Sequence, residues 1–533
     1  MIEDLTERVQ RWIAGDPDPA SRDELDGLSD SELADRFSGP LTFGTAGLRG
    51  PVRAGPNGMN VAVVVRATAG IAAWLLGQGL GGSTVVVGRD ARTGSEQFAF
   101  AAAETLAAQG FSVVLLPRPL PTPVVAFAVR ALDAELGVQI TASHNPAADN
   151  GYKVYLRGGS QLVPPSDAQI EALIDASADA VDVPRTAVEP SGSDIASRYL
   201  DSVVRLPRSR SRDVRIALTA LHGVGGELAV AALRGAGFRD IRVVEEQFEP
   251  DPSFPTVTFP NPEEPGAADA VLALAAETDA DLAVALDPDA DRCAVGVRDA
   301  HGWRMLTGDE TGALLADYLL RDAPPGSLVA NTIVSSQLLS ALAPARGARY
   351  ARTLTGFKWL VRAGDGLVYA YEEAIGHCVD PNVVRDKDGI SAAVVLADLA
   401  AALKQDGRTL LDVLDDLAVE FGVHSGAQVS RRVQDLTDIG DMMRRLRSTP
   451  PTELAGRTVT VMDYADRDDE LRTDAVEIAG SGLRVIVRPS GTEPKLKAYL
   501  EVVEPVSDRQ DLARARATAY ELLAQLSAFA KEL

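Results

Sequence analysis

The chain has few cysteines and no long uninterrupted hydrophobic run. Its two cysteines, Cys293 and Cys378, cannot form a disulfide framework and indicate a reducing compartment. The most apolar early segment, residues 61–82, contains Arg66 and several glycines, so it is predicted to be a buried helix and not a membrane span. The N-terminus lacks the basic and apolar regions of an export signal. We therefore expect a cytoplasmic protein.

Positive charge is also scarce, because 52 lysines and arginines stand against 76 aspartates and glutamates, a formal net charge of -24. This surplus argues against nucleic acid and anionic membranes as partners, since their phosphates would be repelled. A small anionic ligand is not excluded, because a few local cations and backbone amides can outweigh a distant field. The Walker signature G-x-x-x-x-G-K-[ST] is absent, which removes one class of nucleotide-dependent phosphotransferase.

The length and the hydrophobic pattern predict a multidomain α/β protein. A chain of 533 residues suggests about three or four domains. Strand-like and helical patterns alternate in three successive rounds, and from about His424 shorter strands and amphipathic helices replace them. We predict three similar mixed α/β domains, at residues 1–208, 209–323 and 324–423, and a smaller C-terminal α+β domain at residues 424–533.

Alternate acidic residues follow an apolar strand in the segment LAVALDPDADR. Asp287, Asp289 and Asp291 lie at the carboxyl end of that strand, where open α/β sheets place ligands. A calcium-binding EF-hand is excluded, because Arg292 and Arg298 occupy the positions of its glycine and its bidentate glutamate. The cluster therefore favours Mg²⁺ with an open position for a phosphate oxygen, and a solvated acidic turn is the alternative.

Two further loops carry groups suited to a sugar phosphate. In YEEAIGH, Glu372 and Glu373 can accept hydrogen bonds from sugar hydroxyls, although exposed glutamates at a strand end would look the same. In VRPSGTEPKLK, a set of cations, hydroxyls and a glycine suits a phosphate monoester held without covalent chemistry: Arg488, Ser490, Gly491, Thr492, Lys495 and Lys497. Ser-Gly-Thr turns are common, so an ordinary turn is the alternative for that loop.

The segment TASHNPAADNGYK contains Ser143 and, ten positions later, Lys153. Asn-Pro and Asn-Gly are ordinary turn formers, so a plain loop is one interpretation. The chain has only seven lysines and otherwise uses arginine, which favours a role for Lys153 that needs a compact, titratable amine. Together with the acidic cluster, the segment fits phosphoryl transfer through a phosphoserine, with Ser143 as the carrier.

Four motifs, TASHNP, DPDADR, EEAIGH and RPSGTEPK, occur in this order over essentially the whole chain. They resemble the α-D-phosphohexomutase superfamily, the phosphoglucomutases and phosphomannomutases. FGTAGLRG at residues 43–50 is most similar to the phosphoglucomutase-2-type bacterial phospho-sugar mutases. The resemblance implies four domains around a central cleft, Mg²⁺, a sugar 1,6-bisphosphate as activator and intermediate, and a monomer or weak homodimer.

The resemblance also implies roles for single residues. Ser143 is the phosphoserine, and it holds Mg²⁺ together with Asp287, Asp289 and Asp291. The residues implied in proton transfer or packing beside the serine are Lys153, Arg49, His144 and His377. Those implied in substrate binding are Glu372, Glu373, Gly376, Lys358, Arg385, Lys387, Arg488, Ser490, Gly491, Thr492 and Lys497.

The activity expected from this resemblance is the interconversion of glucose or mannose 1-phosphate and the corresponding 6-phosphate, an isomerase reaction on small sugar phosphates. Ile375 stands where many hexomutases have a serine, which removes one hydroxyl contact. A phosphopentomutase acting on ribose or deoxyribose 1-phosphate is therefore an alternative. Two alternatives of another class are a metal-dependent sugar phosphatase and an inactive sugar-phosphate sensor.

Overall fold

A computed structural model describes residues 4–42, 47–433, 436–490 and 495–533 of the chain. The chain divides into two compact units, Met1–Met305 with Gly376–Ala402 and Leu306–Ile375 with Leu403–Leu533. Both units combine sheets with covering helices, so the predicted α/β class is confirmed.

The first unit opens with helices and a mixed sheet. Its elements in chain order are α1 (Leu5–Gly15), α2 (Pro19–Asp26), α3 (Asp30–Arg36), β1 (Leu48–Pro51), α4 (Val61–Gly77), β2 (Thr84–Arg89), α5 (Ser95–Ala108), β3 (Ser112–Leu115), α6 (Thr122–Ala131), β4 (Leu136–Ile140), β5 (Asp149–Leu156), β6 (Ser160–Gln161), α7 (Ser166–Asp175) and α8 (Ile195–Val203). The strand order is β1-β5-β4-β2-β3, with β6 beside β5. Strand β2 is parallel to β3 and β4, whereas β5 is antiparallel to β4 and β1.

The apolar segment predicted as a buried helix is α4, which ends at Gly77. The Asn60 side chain caps it by accepting a 2.9 Å hydrogen bond from the backbone N–H of Val63. Arg66 does not face an apolar environment, because its guanidinium donates to Ser177 Oγ and to the carbonyl of Ile174. Among the described residues, no helix is both long and apolar enough to cross a membrane.

Residues 215–305, also in the first unit, form a second mixed sheet with its helices. Its elements are β7 (Arg215–Thr219), α9 (Gly226–Gly235), β8 (Asp240–Val243), α10 (Asp269–Glu277), β9 (Leu282–Leu286), β10 (Cys293–Asp299) and β11 (Gly302–Met305). The strand order is β11-β10-β9-β7-β8. Every residue of the central strand β9, with sequence LAVAL, is buried, as expected for a strand covered on both faces. The acidic loop follows directly at its carboxyl end.

The second unit begins with a parallel sheet. Its elements are α11 (Gly308–Leu320), β12 (Leu328–Thr332), α12 (Leu338–Ala345), β13 (Arg349–Thr353), α13 (Phe357–Leu360) and β14 (Leu367–Glu372). Strand β12 lies between β13 and β14 and is parallel to both. Thr307 and Glu310 form a capping box that fixes the start of α11. The next two elements, β15 (Gly376–Cys378) and most of α14 (Gly389–Gln405), belong to the first unit.

An antiparallel sheet completes the second unit. Its elements are α15 (Leu410–Phe421), β16 (Val423–Arg432), α16 (Leu436–Ser448), β17 (Glu453–Leu454), β18 (Arg457–Asp463), β19 (Val476–Gly480), β20 (Leu483–Pro489), β21 (Lys495–Glu504) and α17 (Leu512–Glu532). The strand order is β16-β21-β20-β19-β18-β17, and α17 packs on β16 and β21.

Buried charge joins the two sheets of the second unit. The Glu501 carboxylate on β21 accepts a 2.6 Å hydrogen bond from Ser336 Oγ and a 2.8 Å bond from the N–H of Gln337, both after β12. Arg484 on β20 pairs with the same carboxylate at 2.8 Å and donates to the carbonyls of Ile333 and Ser335. The loop after β12 is therefore held rigidly against the C-terminal sheet.

Candidate active site

Ser143 lies in the loop between the antiparallel strands β4 and β5, and its side chain is buried. Its backbone has a φ of 53°, in the left-handed region, and its N–H donates to Thr141 Oγ1 at 2.9 Å. Ser143 Oγ donates to Asp287 Oδ2 at 3.0 Å and lies 3.2 Å from Nδ1 of His144. The structure thus brings the predicted phosphoserine to the first residue of the acidic loop.

The three aspartates after β9 converge as predicted. Asp287, Asp289 and Asp291 are fully buried, and each offers a carboxylate oxygen within 4.8 Å of those of the other two. Ala290 between them has a φ of 52°, which turns the alternate side chains towards one point. The loop approaches the rest of the unit closely, because a Cβ on Gly223 would lie 2.3 Å from the Cα of Pro288.

These carboxylates fit a divalent metal ion. Asp289 Oδ1 and Asp291 Oδ1 are buried and accept no hydrogen bond from any described residue. A buried carboxylate oxygen without a hydrogen-bond donor is costly, and a hard cation bound by oxygen ligands removes that cost; Arg292 Nε approaches Asp291 Oδ1 only to 3.9 Å. The opposite oxygens are occupied, since Lys153 Nζ donates to Asp289 Oδ2 at 2.6 Å and to Asp291 Oδ2 at 2.8 Å. The site is a triad of aspartates that could hold a metal.

Thr122 orients one of these carboxylates. Its hydroxyl donates to Asp289 Oδ2, and its backbone N–H donates to the carbonyl of Asp289 at 2.9 Å. Thr122 is the first residue of α6, after Pro121, so the start of a helix is attached to the acidic loop. Because Oδ2 is engaged by Thr122 and Lys153, Oδ1 is the oxygen left for an ion.

The protonation states follow from burial and from the neighbouring charges. Burial, strengthened by Asp289 and Asp291, raises the pKa of Asp287 well above its usual value. Burial would also raise the pKa of Asp291, but Lys153, Lys387 and Arg292 hold it well below its usual value. Burial would lower the pKa of Lys153, but Asp289 and Asp291 outweigh burial and raise it. Lys153 is therefore an ammonium ion near neutral pH.

His144 lies in the serine loop, residues 141–148, next to Ser143, and Arg49 lies beside that loop. Burial, assisted by the positive charges of Arg292 and Arg49, lowers the pKa of His144 well below its usual value, so its imidazole is neutral. Arg49 lies on β1 opposite Gly151 of β5 and donates from Nη1 to Asn145 Oδ1 at 2.9 Å. The pairing of β1 with β5 therefore brings a guanidinium to the loop that contains Ser143.

His377 differs from these residues in its surroundings. It lies on β15, where it is fully buried, and its carbonyl accepts a 2.8 Å hydrogen bond from the N–H of Asp388. Burial lowers the pKa of His377 to about 3. The imidazole is therefore neutral at physiological pH, and a role for it in proton transfer stays a prediction.

The segment RDKDG places one of its predicted substrate-binding cations at the acidic loop. Lys387 Nζ lies 3.2 Å from Asp291 Oδ2 and 3.5 Å from Asp386 Oδ1. Arg385 is only partly buried. The pKa of Arg130 is lowered first by burial and then by the positive charge of Arg385, so the two guanidinium groups lie close together. Lys387 thus lies beside Lys153 against the same carboxylate, where its charge acts on the aspartates directly.

The second unit carries the predicted sugar-binding glutamates. Glu373 Oε2 accepts hydrogen bonds from Thr332 Oγ1 at 3.1 Å and from Ser335 Oγ at 2.9 Å. Gly308, the first residue of α11, allows the backbone of Glu373 to approach, because a Cβ there would lie 2.0 Å from the Glu373 carbonyl oxygen. Glu372 ends β14, one residue before Glu373. The hydroxyls of Thr332, at the end of β12, and of Ser335, just after it, therefore set the direction of the Glu373 carboxylate.

The predicted phosphate-binding loop follows β20 in the same unit. Arg488 hydrogen-bonds to the Tyr499 hydroxyl. The pKa of Tyr499 is raised mainly by burial and next by the negative charge of Glu373, so Glu373 also lies near this hydroxyl. Arg488 therefore lies in the same region as Glu373. Ser490 donates its N–H to the carbonyl of Lys495 at 2.8 Å. Two predicted residues of the loop, Gly491 and Thr492, lie outside the described residues.

Three other predicted substrate-binding residues take defined places. Lys497 on β21 pairs in register with Arg488 on β20. Lys358 is buried in α13, with Nζ 5.4 Å from the centroid of the Trp359 ring. Gly376 begins β15 and forms a backbone bridge with Arg292, one residue after Asp291.

Sequence reasoning missed the residues that hold these groups in place. Arg92, Thr122, Thr332 and Ser335 contact the serine loop, Asp289 or Glu373, yet each is distant in sequence from the group that it contacts. A single arginine in an arginine-rich chain, or a threonine after a proline, carries no signal of its own. Only the short segment GRDAR, which spans the carboxyl end of β2, could have drawn attention to Arg92.

Family models match the chain in four consecutive stretches. They are described as phosphoglucomutase/phosphomannomutase alpha/beta/alpha domains I, II and III and the C-terminal domain, and they match residues 40–180, 197–302, 307–421 and 430–518. This succession agrees with the predicted four-domain architecture.

Relatives and solved structures agree with the family models. A Haemophilus influenzae protein named "Probable phosphomannomutase" is 43% identical over 83% of this chain and 93% of its own length. The Saccharomyces cerevisiae phosphoribomutase is 35% identical over 93% of this chain and 92% of its own length. The crystal structure of a Thermus thermophilus protein assigned as a phosphomannomutase superposes with a TM-score of 0.71 at 26% identity, covering 92% of this chain and 99% of that one.

The family models together span most of the chain, and the first of these relatives exceeds 40% identity over most of both chains. The resemblance read from the four motifs is thereby confirmed. The chain belongs to the phosphoglucomutase/phosphomannomutase family of the α-D-phosphohexomutase superfamily, and it is a phospho-sugar mutase, an isomerase.

Proposed function

We propose that this mutase transfers a phosphoryl group between O1 and O6 of an α-D-hexose phosphate, with glucose or mannose as the sugar, through a phosphorylated Ser143. The single observation that carries the proposal is the 3.0 Å contact between Ser143 Oγ and Asp287 in a buried cluster with Asp289, Asp291 and Lys153. A buried serine beside three carboxylates and an ammonium suits the transfer of a phosphoryl group, because the carboxylates can hold a metal ion and the ammonium can balance the charge of the phosphoryl oxygens.

The reaction would begin with Ser143 carrying the phosphoryl group. A free sugar hydroxyl attacks the phosphorus, its O–P bond forms, and the Ser143 Oγ–P bond breaks. The proton of the sugar hydroxyl ends on Ser143 Oγ, and the product is the sugar 1,6-bisphosphate. In the second half the bisphosphate is bound in the opposite orientation: Ser143 Oγ attacks the other phosphorus, the O–P bond to the sugar breaks, and the Oγ proton ends on the released sugar oxygen, so the isomeric monophosphate leaves.

Different residues around Ser143 would balance the negative charge and transfer the proton. Lys153, held as an ammonium ion against Asp289 and Asp291, balances negative charge in the cluster; it can pass a proton to the leaving serine oxygen and take up the proton of the attacking sugar hydroxyl, so that the net transfer is from the sugar to Oγ. The neutral His144 has Nδ1 3.2 Å from Oγ, where it can relay that proton. Asp287, Asp289 and Asp291 would hold Mg²⁺, which when bound offsets charge on the transferring group.

In the second unit, Glu373 and the loop that begins at Arg488 would bind the substrate. In the first unit, the RDKDG segment would also contribute cations for substrate binding. Glu373, fixed by Thr332 and Ser335, would accept hydrogen bonds from sugar hydroxyls. Arg488, together with Ser490 and the loop that follows, would grip the phosphate that is not transferred. Such a grip serves both half-reactions, because either phosphate can occupy the same fixed site.

A pentose phosphate is the second candidate substrate, and two observations favour it. A relative of 35% identity is named a phosphoribomutase, and the apolar Ile375 follows Glu373 after one residue. In that case the same phosphoserine chemistry would move a phosphoryl group between O1 and O5 of ribose or deoxyribose. The predicted monomer or weak homodimer is part of the proposal for either substrate.

The experiment that tests the proposal is ³¹P NMR of the purified protein with Mg²⁺ and a trace of sugar 1,6-bisphosphate. Glucose 1-phosphate, mannose 1-phosphate and ribose 1-phosphate are offered separately, beside the variant Ser143→Ala. Conversion of a hexose 1-phosphate to its 6-phosphate, lost in the variant, supports the proposal. Turnover of ribose 1-phosphate alone moves the assignment to a phosphopentomutase, and release of inorganic phosphate without isomerisation contradicts the mechanism.

A further inference from the structure

Arg92, which none of the sequence motifs includes, makes several hydrogen bonds to the backbone around Ser143. It lies in the loop between β2 and α5, and only 4% of the residue is exposed. Its guanidinium donates to four carbonyl oxygens of the loop: Ser143 at 2.6 Å, Asn145 at 2.5 Å, Pro146 at 2.8 Å and Asp149 at 3.1 Å. One side chain therefore holds the turn that presents Ser143.

The guanidinium is itself fixed from the other side. Asp90 Oδ2 lies 3.4 Å from Arg92 Nε, and Asp90 Oδ1 accepts the backbone N–H of Arg92 at 2.9 Å and the hydroxyl of Ser95 at 2.5 Å. The Phe254 ring lies against the guanidinium, with its centroid 4.8 Å from Cζ. Arg92 is thus a rigid element and not a mobile surface charge.

The loop needs such support because its own conformation is unfavourable. Ser143 has a φ of 53°, which costs a residue with a side chain about 1 kcal/mol or more and persists only when its surroundings impose it. Pro146 lacks an N–H, which removes one donor from the turn. Of the four carbonyls that accept from Arg92, that of Pro146 also accepts the backbone N–H of Asp149 at 3.0 Å. The contact with the Ser143 carbonyl is buried, so without the guanidinium this carbonyl would lose its donor at the residue with the unfavourable φ.

We propose that Arg92 is a positioning residue that holds the backbone of residues 143–149 in the one arrangement that directs Ser143 Oγ at Asp287. The proposal rests on the proposed function, in which Ser143 carries the phosphoryl group. Arg92 acts through the backbone, because both terminal nitrogens of its guanidinium are engaged with the loop carbonyls. An ammonium cannot replace it, since lysine lacks the planar fork that spans four acceptors.

The chain contains a matched control for this arginine. Arg212 also donates to three backbone carbonyls, those of Ala236, Ser209 and Ser211, pairs with Asp398 at 3.1 Å, and lies over a ring, that of Phe238, at 5.1 Å. It lies in the linker before β7 and contacts no residue of the serine loop. Arg92→Lys and Arg212→Lys therefore remove the same kind of contact at two different places.

The test compares both variants in steady-state turnover and in amide hydrogen exchange of peptides covering residues 141–151. We expect Arg92→Lys to lower kcat at least 100-fold with KM changed less than threefold, because a loop displaced by about 1 Å costs rate and not ground-state binding. Exchange in residues 141–151 should become faster. Arg212→Lys should lower the melting temperature to a similar extent while kcat stays within twofold of the wild type.

The outcomes separate this proposal from the proposed function. Equal kcat values in the two variants, or unchanged exchange in residues 141–151 of Arg92→Lys, would overturn the positioning role. Absence of mutase turnover in the wild type would instead overturn the proposed function. If Arg92→Lys does not fold, Phe254→Leu removes only the ring below the guanidinium. A lower kcat and faster exchange of residues 141–151 in Phe254→Leu support the proposal. A kcat and an exchange rate equal to those of the wild type overturn it.

Discussion

Ser143 Oγ donates a 3.0 Å hydrogen bond to Asp287 Oδ2, which joins two loops that are 144 positions apart in the chain. The contact depends on two sheets of the first unit that each end in a loop at the carboxyl end of a buried strand, β4 and β9. A serine and a set of aspartates that are ordinary by themselves thereby become one site. The following predictions each disturb one contact within one of the two units.

Thr122 is expected to tune metal affinity through Asp289. Replacing it with valine removes the hydroxyl that donates to Asp289 Oδ2 while keeping the shape of the side chain. The carboxylate then loses a fixed orientation, and Mg²⁺ affinity should fall about 10- to 100-fold, as is usual for such outer contacts. Isothermal titration of Mg²⁺ into the protein measures this directly. Thr105→Val is the control, because that buried hydroxyl donates only to the Ala101 carbonyl inside a helix, and an equal loss there would contradict the prediction.

Lys153 is expected to resist conservative replacement. Its ammonium occupies a buried position between Asp289 Oδ2 and Asp291 Oδ2, and the guanidinium of arginine is larger and does not give up a proton near neutral pH. Lys153→Arg should therefore lower kcat by about 100-fold or more, the usual scale for a proton-transfer group. Lys404→Arg, at the exposed end of α14, should leave the rate unchanged. A rate for Lys153→Arg within threefold of the wild type would show that any cation suffices there.

Ser335 is expected to affect sugar binding more than the chemical step. Its hydroxyl donates a 2.9 Å hydrogen bond to Glu373 Oε2, and a bond to a charged group contributes about 1.5–3 kcal/mol. Ser335→Ala should raise KM for the sugar phosphate about fivefold to tenfold with kcat changed less than threefold. Steady-state kinetics with each sugar measures the split. Ser340→Ala, which removes a hydroxyl bonded only to the Gln337 carbonyl, should change neither constant.

Asp388 is expected to make folding stability depend on pH. Its carboxylate is buried, accepts from the Tyr199 hydroxyl at 2.7 Å, and lies at the start of α14. Burial raises the pKa of Asp388 to about 6, above the ordinary value of 3.8. The protonated form therefore favours folding, and this stabilisation is complete below about pH 4 and is lost as the pH rises through 6.

The difference between the two pKa values corresponds to about 3 kcal/mol at most. Asp388→Asn keeps the acceptor and cannot ionise, so the wild type should lose stability relative to the variant between pH 4 and pH 7. Urea unfolding at several pH values measures this difference. Parallel pH profiles for the two proteins would show that Asp388 keeps its ordinary pKa.

The sequence was sufficient for the parts of the site that are contiguous in the chain. Asp287, Asp289 and Asp291 alternate in a short loop after a strand, so their convergence could be predicted from the sequence, whereas the φ of 52° at Ala290 that helps to turn them could not. The order of the motifs and the alternation of strands and helices likewise predicted the α/β class. Such features are local, and local patterns determine them.

The residues that support the site could not be predicted in this way. Arg92 reaches four carbonyls 51 to 57 positions away, and Thr122 reaches Asp289 across 167 positions, so only the packing of the sheets creates these contacts. Lys387 was predicted among the substrate-binding residues, yet it lies 3.2 Å from Asp291, because the chain returns to the acidic loop after β15. The protonation of Lys153 also depends on two carboxylates that it meets only in the folded protein.

The most direct test of the central claim is the transfer of label from sugar 1,6-bisphosphate to Ser143. The protein is incubated with Mg²⁺ and ³²P-labelled bisphosphate, digested and analysed by mass spectrometry. The account predicts about one labelled phosphoryl group per chain on the peptide containing Ser143, absent in Ser143→Ala and removed on addition of the unlabelled sugar monophosphate. Label on another residue, or label released only as inorganic phosphate, would contradict the account.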